Sequence, residues 1–329
     1  MAPVVSLDVH SVVDELTKAR RDPGAMKTAT MTFATFFGDD SGAEWVRGRV
    51  RALADKHPSR VVIFDAAKSE GESVVEPSQS RGEWIEIGVH NASAGELDAA
   101  LTMLELPEAP VVLLWIAEAL SKDDRFLALA RRASTTICST SVSRTDERPL
   151  RDLAQFVGEH PEIMIQDVAY LRLAAWQELI AEFFDEPECR HELQMLRNVE
   201  VTAGSDAEMY YLLGWLASRL GWTPVGPDTF ASPTGNVRFA MVHDGPPRRL
   251  SRVVLGSEDA TFSASIHPDD QAAINLDVTG STACPSRFAP LHTVDLASLV
   301  ERAILNRTLD PVFADSLAMA KTIIERHVA

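Results

Sequence analysis

The strongest constraint on the fold is a pair of short, uninterrupted apolar runs in the first half of the chain, Val61–Phe64 and Pro110–Ile116. A strand that is apolar on both faces is typical of a parallel sheet with helices on both sides. Helical segments alternate with these runs, and capping boxes are predicted at Ser41–Glu44 and Ser93–Glu96. A third capping box is predicted in the second half of the chain, at Ser205–Glu208. This alternation predicts a three-layer α/β domain with a mostly parallel sheet.

The second half changes to a period of two. Apolar and polar residues alternate in four segments, separated by turn sequences: Val237–Val242, Val253–Leu255, Phe262–Ile266 and Ile274–Val278. We expect an antiparallel meander with one face exposed to solvent. Helices at Val294–Leu305 and Pro311–Arg326, the second with Asp310 as N-cap, are predicted to cover the other face. Together these segments predict an α+β domain.

The predicted organisation has three parts. These are an N-terminal helical segment at residues 1–26, an N-terminal α/β domain at 27–166 and a C-terminal α+β domain at 167–329. The domain boundary falls near His160–Gln166. The polar segment Lys68–Arg81 carries glycine, proline and serine and is predicted to be a mobile loop.

Composition limits the classes of function. With 329 residues, 46% of them hydrophobic and 24% charged, the chain is typical of soluble globular proteins. A net charge of −17 argues against nucleic acid or an anionic membrane as partner. No apolar run is long enough to span a membrane, and the first residues lack a basic signal region, so a cytoplasmic protein is expected.

Two tryptophan-bearing helical segments, Asp167–Asp185 and Glu208–Trp222, carry more apolar surface than one buried stripe needs. In the second segment, Tyr211, Trp215 and Arg219 lie four apart beside the leucine-rich stripe, and these residue types are enriched in interface cores. The segment is either a helix buried on two faces or a partner surface. The candidate interface residues are Trp176, Tyr211, Trp215 and Arg219.

The sequence does not match the residue spacing of known catalytic and cofactor-binding motifs. The sequence has no G-x-G-x-x-G or phosphate-binding loop, so Asp65, at the end of a predicted strand, is expected to be a helix cap or a surface acid. His191 begins an H-E-x-x-H-like motif, but Met195 stands where the second histidine is required. His243-Asp244 and the His267–Asp270 turn could pair as acid and base, although turn-forming aspartates and ordinary surface histidines explain them better. No catalytic, cofactor-binding or metal-binding residue is predicted.

Arginines and cysteines leave alternatives open. Arg248, Arg249 and Arg252 cluster in sequence and are candidates for contact with an anion or a partner, or they form a solvated strand edge. Cys138, Cys189 and Cys284 include no C-x-x-C pair, which excludes a zinc ribbon or thioredoxin-type motif. Buried inert thiols are the default expectation for them.

Four blocks resemble one known family. Arg49–Asp65 (RVRALADKHPSRVVIFD), Pro110–Leu120 (PVVLLWIAEAL) and the two tryptophan-bearing segments resemble the OpcA family of glucose-6-phosphate dehydrogenase assembly or activator proteins, in the same order from about Thr28 to Trp222. The sequence departs from the family pattern at Ile116, where a second tryptophan is common, and at Ala175-Trp176-Gln177-Glu178, where Pro-Trp-Arg-Glu is common.

The resemblance implies a non-catalytic regulatory subunit. Its partner would be glucose-6-phosphate dehydrogenase, which itself binds NADP and glucose 6-phosphate in the oxidative pentose phosphate pathway, and the subunit would activate it allosterically. Two other classes stay open from the residues alone. One is an enzyme of sugar-phosphate metabolism that uses an arginine cluster and a His/Asp pair. The other is a binding module that senses a small metabolite.

Overall fold

The computed structural model describes residues 9–19, 29–38, 43–70, 72–77, 82–117, 123–141, 144–185, 187–280, 286–291, 295–305 and 310–327. Unit 1 comprises Met1–Ser139, Phe156–Asp167 and Asp295–Thr308, and unit 2 comprises Thr140–Gln155, Val168–Val294 and Leu309–Ala329. Both units therefore combine separated stretches of the chain. The contiguous domain boundaries given above stay a prediction.

The elements are numbered in chain order. The strands are β1 (Met31–Phe37), β2 (Ser59–Asp65), β3 (Ser73–Pro77), β4 (Gly82–Gly88), β5 (Val111–Ile116), β6 (Thr135–Cys138), β7 (Ile165–Asp167), β8 (Asn198–Ala203), β9 (Thr223–Pro224), β10 (Thr229–Ser232), β11 (Gly235–His243), β12 (Leu250–Gly256), β13 (Thr261–Ile266), β14 (Ala273–Thr279) and β15 (Arg287–Pro290). The helices are α1 (Val9–Ala19), α2 (Ala43–Lys56), α3 (Ala94–Leu104), α4 (Asp124–Arg132), α5 (Arg148–Glu159), α6 (Val168–Leu171), α7 (Ala174–Glu182), α8 (Pro187–Gln194), α9 (Asp206–Leu220), α10 (Leu296–Leu305) and α11 (Pro311–His327).

Unit 1 is built on sheet A, in the order β3-β4-β2-β1-β5-β6-β7. All neighbouring strands pair in parallel except β3 with β4. Without the edge strand β3, this is the 3-2-1-4-5-6 order of doubly wound dinucleotide-binding folds. The α/β prediction with a mostly parallel sheet is confirmed, and the apolar runs that predicted it form the buried strands β2 and β5.

Two short strands of sheet A were missed by the sequence analysis. The predicted loop Lys68–Arg81 contains β3, so the loop prediction is wrong for Ser73–Pro77, which pairs antiparallel with β4. The predicted boundary segment overlaps β7, which pairs in parallel with β6. Short edge strands carry few apolar residues, so their pairing depends on a neighbouring strand more than on their own sequence.

Helix α10 belongs to unit 1, so the prediction that it covers the second sheet is wrong. The Gln166 side chain donates a hydrogen bond of 3.1 Å to the backbone carbonyl of Ala303 on this helix. Glu301 accepts from His57 at 3.0 Å and from Lys56 at 3.2 Å, both at the end of α2. The contacting residues are more than 130 positions apart in the sequence. A local sequence pattern does not predict contacts over that separation.

The structure confirms two of the predicted helix starts, those at Ser93 and Asp310. The Ser93–Glu96 capping box is confirmed, since Glu96 N donates to Ser93 Oγ and Ser93 N donates to the Glu96 carboxylate. Asp310 caps α11 as expected, accepting from Val312 N at 2.9 Å. The capping box predicted at Ser41–Glu44 begins outside the described residues. No helix in the described part of the chain has the length and apolar character needed to cross a membrane.

Unit 2 is built on sheet B, in the order β15-β14-β13-β12-β8-β11-β10-β9. The antiparallel meander runs from β12 to β15. Strand β8 lies between β11 and β12, parallel to the first and antiparallel to the second, so the meander is interrupted there. The antiparallel-dominated sheet with helices confirms the α+β prediction, with this insertion as its correction.

The long helix predicted at Asp167–Asp185 is two shorter helices, α6 and α7, separated by a turn at Arg172 and Leu173. Helix α9 packs closely on α11 at Gly214. A Cβ atom added at Gly214 would lie 2.3 Å from the carbonyl oxygen of Ser316 and 3.0 Å from the amide nitrogen of Ala320. The absence of a side chain at this position therefore sets the distance between the two helices.

Substitution Gly214→Ala is expected to lower the free energy of unfolding by about 2–3 kcal/mol, because α9 and α11 must separate to admit the methyl group. The matched control is Gly48→Ala in α2, where an added Cβ meets nothing within 4 Å. The control is expected to raise stability by about 0.5–1 kcal/mol. Urea unfolding measures both, and equal effects of the two substitutions would contradict the close-packing account.

Candidate functional site

The four candidate interface residues divide into two groups. Trp215 is partly exposed and Arg219 is exposed on α9, where Arg219 pairs with Asp315 of α11. Tyr211 is fully buried, with its ring 5.4 Å from that of Tyr170. Trp176 on α7 is only 3% exposed. We call Trp215 and Arg219 the α9 edge.

For Tyr211 the structure favours the helix buried on two faces, the alternative given with the interface hypothesis. Its ring also lies 6.1 Å from that of Phe313 on α11. A buried ring stabilises the helix packing of unit 2 and cannot touch a partner directly in this conformation. A partner-contact role for the α9 edge stays a prediction.

The three clustered arginines do not share a site. Arg252 pairs with Glu200 across neighbouring strands at 3.4 Å. Arg249 donates to the carbonyl oxygen of Gln271 at 2.8 Å. Only Arg248 turns toward the start of α9, where its Nε donates to the carbonyl oxygen of Ser141 at 2.8 Å. The three arginines are close together in the sequence, but their side chains contact different parts of unit 2.

The start of α9 is not the capping box that Ser205 and Glu208 predict. The Ser205 side chain makes no capping hydrogen bond within the helix and accepts instead from the backbone N–H of Arg248 at 2.7 Å. Glu208 is only 1% exposed and accepts from Ser141 Oγ at 2.6 Å. The sequence analysis did not select Ser141, because its contact to Glu208 spans 67 residues.

The histidine pairs proposed from sequence are not formed. His243 Nε2 lies 2.7 Å from Asp206 Oδ1 rather than pairing with Asp244. Burial raises the pKa of Asp206, and the hydrogen bond to His243 opposes that rise. In the other turn, the backbone N–H of Asp269 donates to His267 Nδ1, and the carboxylate of Asp270 accepts from Ala272 N. Both contacts are ordinary turn contacts.

Asp65 is neither a helix cap nor a surface acid, so that expectation is wrong. Its carboxylate is fully buried and receives Arg47 Nη2 at 2.5 Å and the backbone N–H of Ala67 at 3.0 Å. The same Arg47 nitrogen lies 2.7 Å from Glu86 Oε1, and Lys68 also pairs with Glu86. We call Asp65, Arg47 and Glu86 the buried ion-pair network of unit 1.

This network lies where a dinucleotide-binding fold needs a free acidic group. In such folds the acid after the second strand accepts hydrogen bonds from a ribose, and a glycine-rich loop after the first strand meets the pyrophosphate. Here the Asp65 carboxylate already accepts hydrogen bonds from the Arg47 side chain and from the backbone N–H of Ala67. The sequence between β1 and α2 is Gly-Asp-Asp-Ser-Gly, with two carboxylates in place of the glycine motif. The residues present do not fit a bound dinucleotide.

Arg47 and Glu86 were missed by the sequence analysis, although one signal for Glu86 was available. Glu86 lies between Ile85 and Ile87 in a strand whose residues from Trp84 onward are buried. A charge inside a buried strand requires a partner of opposite sign. The sequence shows that requirement but does not say which cation meets it.

The cysteines differ from one another. Cys138 is a fully buried free thiol, and burial raises its pKa well above the ordinary value, with the charge of Asp167 adding to the rise. Cys189 is buried and disulfide-bonded, so the expectation of an inert thiol is wrong for it. Cys284 lies outside the described residues. Among the side chains that the structure describes, no group of three or more His, Cys, Asp or Glu could hold a metal ion.

Substitution Arg47→Met is expected to cost about 3–5 kcal/mol of folding free energy, since it leaves the buried Asp65 carboxylate without its closest cation and leaves Glu86 with Lys68 alone. Arg51→Met on the same helix is the matched control. Arg51 lies over the Trp84 ring and pairs with Glu76, with both charged side chains about half exposed. The control should lose about 1 kcal/mol or less by urea unfolding. A similar loss in both variants would contradict the buried network.

The Glu86 carboxylate should make stability depend on pH. Burial alone would raise the pKa of Glu86, but hydrogen bonds and attraction from Lys68 and Arg47 lower it below its ordinary value. A lowered pKa stabilises the fold above the unfolded-state pKa, and that contribution is lost as pH falls through the folded-state value. The stability difference between wild type and Glu86→Gln should therefore shrink on acidification below about pH 4.

Urea unfolding at a series of pH values measures this dependence. Glu76→Gln, at an exposed surface pair, is the control and should differ from wild type by less than about 1 kcal/mol throughout. A difference between wild type and Glu86→Gln that stays constant down to the acid limit of folding would show that Glu86 is not stabilised as a carboxylate.

Part of the chain is similar to curated proteins of one name. The chain is 35% identical over 145 residues to OpcA of Synechocystis sp., whose curated name assigns it to the OxPP cycle. It is 26% identical over 206 residues to a protein of the same name from Nostoc punctiforme. The matches cover 44% and 58% of this chain but 30% and 43% of the relatives, so the chain spans less than half of their length.

Solved structures share the fold at low identity. A 3-ketoreductase, KijD10 from Actinomadura kijaniata with NADP and TDP-benzene, matches with a TM-score of 0.54 and 10% identity, covering 91% of this chain and 97% of that one. Levoglucosan dehydrogenase with NADH and L-sorbose matches with a TM-score of 0.51 and 12% identity, over 90% and 97% of the chains. At such identity the likeness concerns the fold alone.

Family models match both halves of the chain. Residues 50–155 match the glucose-6-phosphate dehydrogenase subunit N-terminal domain, and residues 163–317 match the C-terminal domain of the same subunit. The two matches follow each other without overlap. The chain therefore belongs to the OpcA family, which its sequence blocks resemble.

Proposed function

We propose that this protein is a non-catalytic subunit that binds glucose-6-phosphate dehydrogenase and activates it allosterically in the oxidative pentose phosphate pathway. The observation that carries the proposal is the match of both halves of the chain to domains described as subunits of that enzyme. NADP and glucose 6-phosphate would then bind to the partner enzyme rather than to this chain.

The buried ion-pair network supports a non-catalytic role. Sheet A has the strand order of a dinucleotide-binding fold, yet Arg47 holds the Asp65 carboxylate and the glycine motif is lacking. An oxidoreductase of this fold needs that edge open for its nicotinamide cofactor. A chain with the scaffold but not the cofactor contacts is better suited to binding another protein.

Activation by such a subunit is a matter of differential binding. The subunit would prefer the more active conformation or assembly of the enzyme and shift the population toward it. A tenfold shift requires about 1.4 kcal/mol of preference between the two states. A small set of surface contacts is enough to supply this difference.

The α9 edge is the proposed contact. Tryptophan and arginine are among the residue types enriched at the positions that dominate binding energy in protein interfaces. Arg219 and Asp315 are 39% and 56% exposed, so their ion pair can be exchanged for partner contacts at little cost. Trp215 lies one helical turn before Arg219, so the two side chains form a small surface that is partly aromatic and partly charged.

The test is the rate of NADPH formation by glucose-6-phosphate dehydrogenase of the same organism across a titration of the purified chain. Saturable activation is expected, with no turnover by the chain alone. No change in rate at any concentration would contradict activation, and turnover without the enzyme would contradict the non-catalytic assignment.

Substitution Trp215→Ala should raise the concentration of chain needed for half-activation by at least about tenfold, as truncating an interface aromatic residue does. Phe288→Ala is the matched control, because Phe288 is an aromatic residue on β15 with 74% exposure. It should leave half-activation within about twofold of wild type, by the same conversion of free energy to concentration. If both folded variants activate like wild type, the α9 edge is not the contact.

A further inference from the structure

A cluster of charged groups surrounds the first turn of α9 in unit 2. At its centre is Glu208, a buried carboxylate whose Oε1 accepts from Ser141 Oγ at 2.6 Å and from Arg172 Nη1 at 3.1 Å. Arg248 joins from the loop before β12, with its Nε donating to the carbonyl oxygen of Ser141 at 2.8 Å. Ser141 therefore touches Arg248 through its backbone and Glu208 through its side chain.

The loop that carries Arg248 is held tightly. Arg248 has a positive φ of 63°, which is uncommon for a residue with a side chain, and its backbone N–H donates to Ser205 Oγ at 2.7 Å. A Cβ atom at Gly204 would lie 1.8 Å from the carbonyl oxygen of Pro246, so Gly204 is in close contact with this loop. Left-handed backbone at a non-glycine residue is found more often at functional sites than elsewhere.

The buried carboxylate Glu208 pairs with one arginine of the cluster, while Asp206 in the same helix turn pairs with His243. None of the ion pairs found among the described residues includes Arg248, whereas Arg172 pairs with Glu208. Burial lowers the pKa of Arg248, the positive charge of Arg172 lowers it further, and the negative charge of Glu208 opposes both effects. Arg144 adds a third guanidinium, which donates to the carbonyl oxygens of Gly204 and Gly245.

The two guanidinium groups also keep most of their N–H donors available. A guanidinium has five N–H donors. In the part of the chain that the structure describes, Arg248 donates to protein only through its side-chain Nε, and Arg172 only through Nη1. The Arg248 residue is exposed and the Arg172 side chain is 22% exposed, so solvent and small ligands reach both.

We propose that Arg172 and Arg248, which are linked through their contacts to Glu208 and Ser141, bind the phosphoryl group of a small phosphorylated metabolite. Forked guanidinium donors match phosphate oxygens in geometry and give hydrogen bonds strengthened by charge. On a chain with a net charge of −17, two adjacent arginines with few acidic partners mark a local site for an anion. The site is a separate property from dehydrogenase binding and does not depend on it.

Inorganic phosphate is the first probe, titrated into the full chain at constant ionic strength with the melting temperature and ³¹P NMR line width as readouts. Wild type should melt at higher temperature and broaden the phosphate line saturably. Arg248→Gln should raise the half-saturating phosphate concentration by at least about tenfold, the equivalent of losing one charged hydrogen-bonding partner. The melting temperature without phosphate shows whether the variant is folded.

The matched control is Arg252→Gln, which removes the same charge from an exposed arginine four residues away. It should bind phosphate like wild type. Equal weakening in both variants would overturn the site, since a general effect of net charge would then explain the binding. Absence of any response from wild type at tens of millimolar phosphate, an affinity of only about 2–3 kcal/mol, would also overturn it.

Two further arms identify the ligand chemistry. Acetate at the same ionic strength tests a carboxylate, and an equal response to acetate and phosphate would contradict a phosphoryl site. Glycerol 3-phosphate tests a phosphate monoester. Tighter binding of the ester than of inorganic phosphate would support a metabolite as the ligand, and weaker binding would overturn that part of the proposal.

Discussion

Unit 1 depends on one cation, Arg47, whose side chain is 14% exposed. The doubly wound sheet brings the ends of β2 and β4 together, and each strand contributes a carboxylate that is almost completely buried. Two unpaired carboxylates would not remain ionised there. Arg47 pairs with both carboxylates and Lys68 pairs with Glu86, which stabilises unit 1. Arg47 also occupies the carboxylate that the ribose of a dinucleotide would need. One interaction thus supports the fold and argues against cofactor chemistry at the same edge.

Helix α9 has the corresponding importance in unit 2. Its inner residues pack on α11 through Gly214 and on aromatic rings such as Tyr170, its edge carries Trp215 and Arg219, and its first turn holds Glu208 among the arginines. Because one rigid helix joins these features, a ligand at the first turn and a protein at the edge would both act on the same element. Such sharing is a physical route by which two binding events can be coupled.

The sequence predicted well what depends on local pattern. Uninterrupted apolar runs predicted the parallel sheet, and the capping residues at Ser93 and Asp310 predicted two helix starts. The sequence patterns did not predict contacts between residues that are far apart in the chain. Ser205 and Glu208 have the spacing of a capping box, but their side chains bond to Arg248, Ser141 and Arg172, which come from other stretches of the chain. The insertion of β8 into sheet B and the packing of α10 in unit 1 depend on long-range pairing in the same way.

The central claim is that the chain functions as a bound subunit of glucose-6-phosphate dehydrogenase. The most direct test is sedimentation velocity on the enzyme alone, the chain alone and their mixture at several ratios. We expect a new species in the mixture whose mass exceeds that of the enzyme by a multiple of 36.0 kDa. Two unchanged boundaries at micromolar concentrations of both proteins, in the presence and absence of the enzyme's substrates, would contradict the claim.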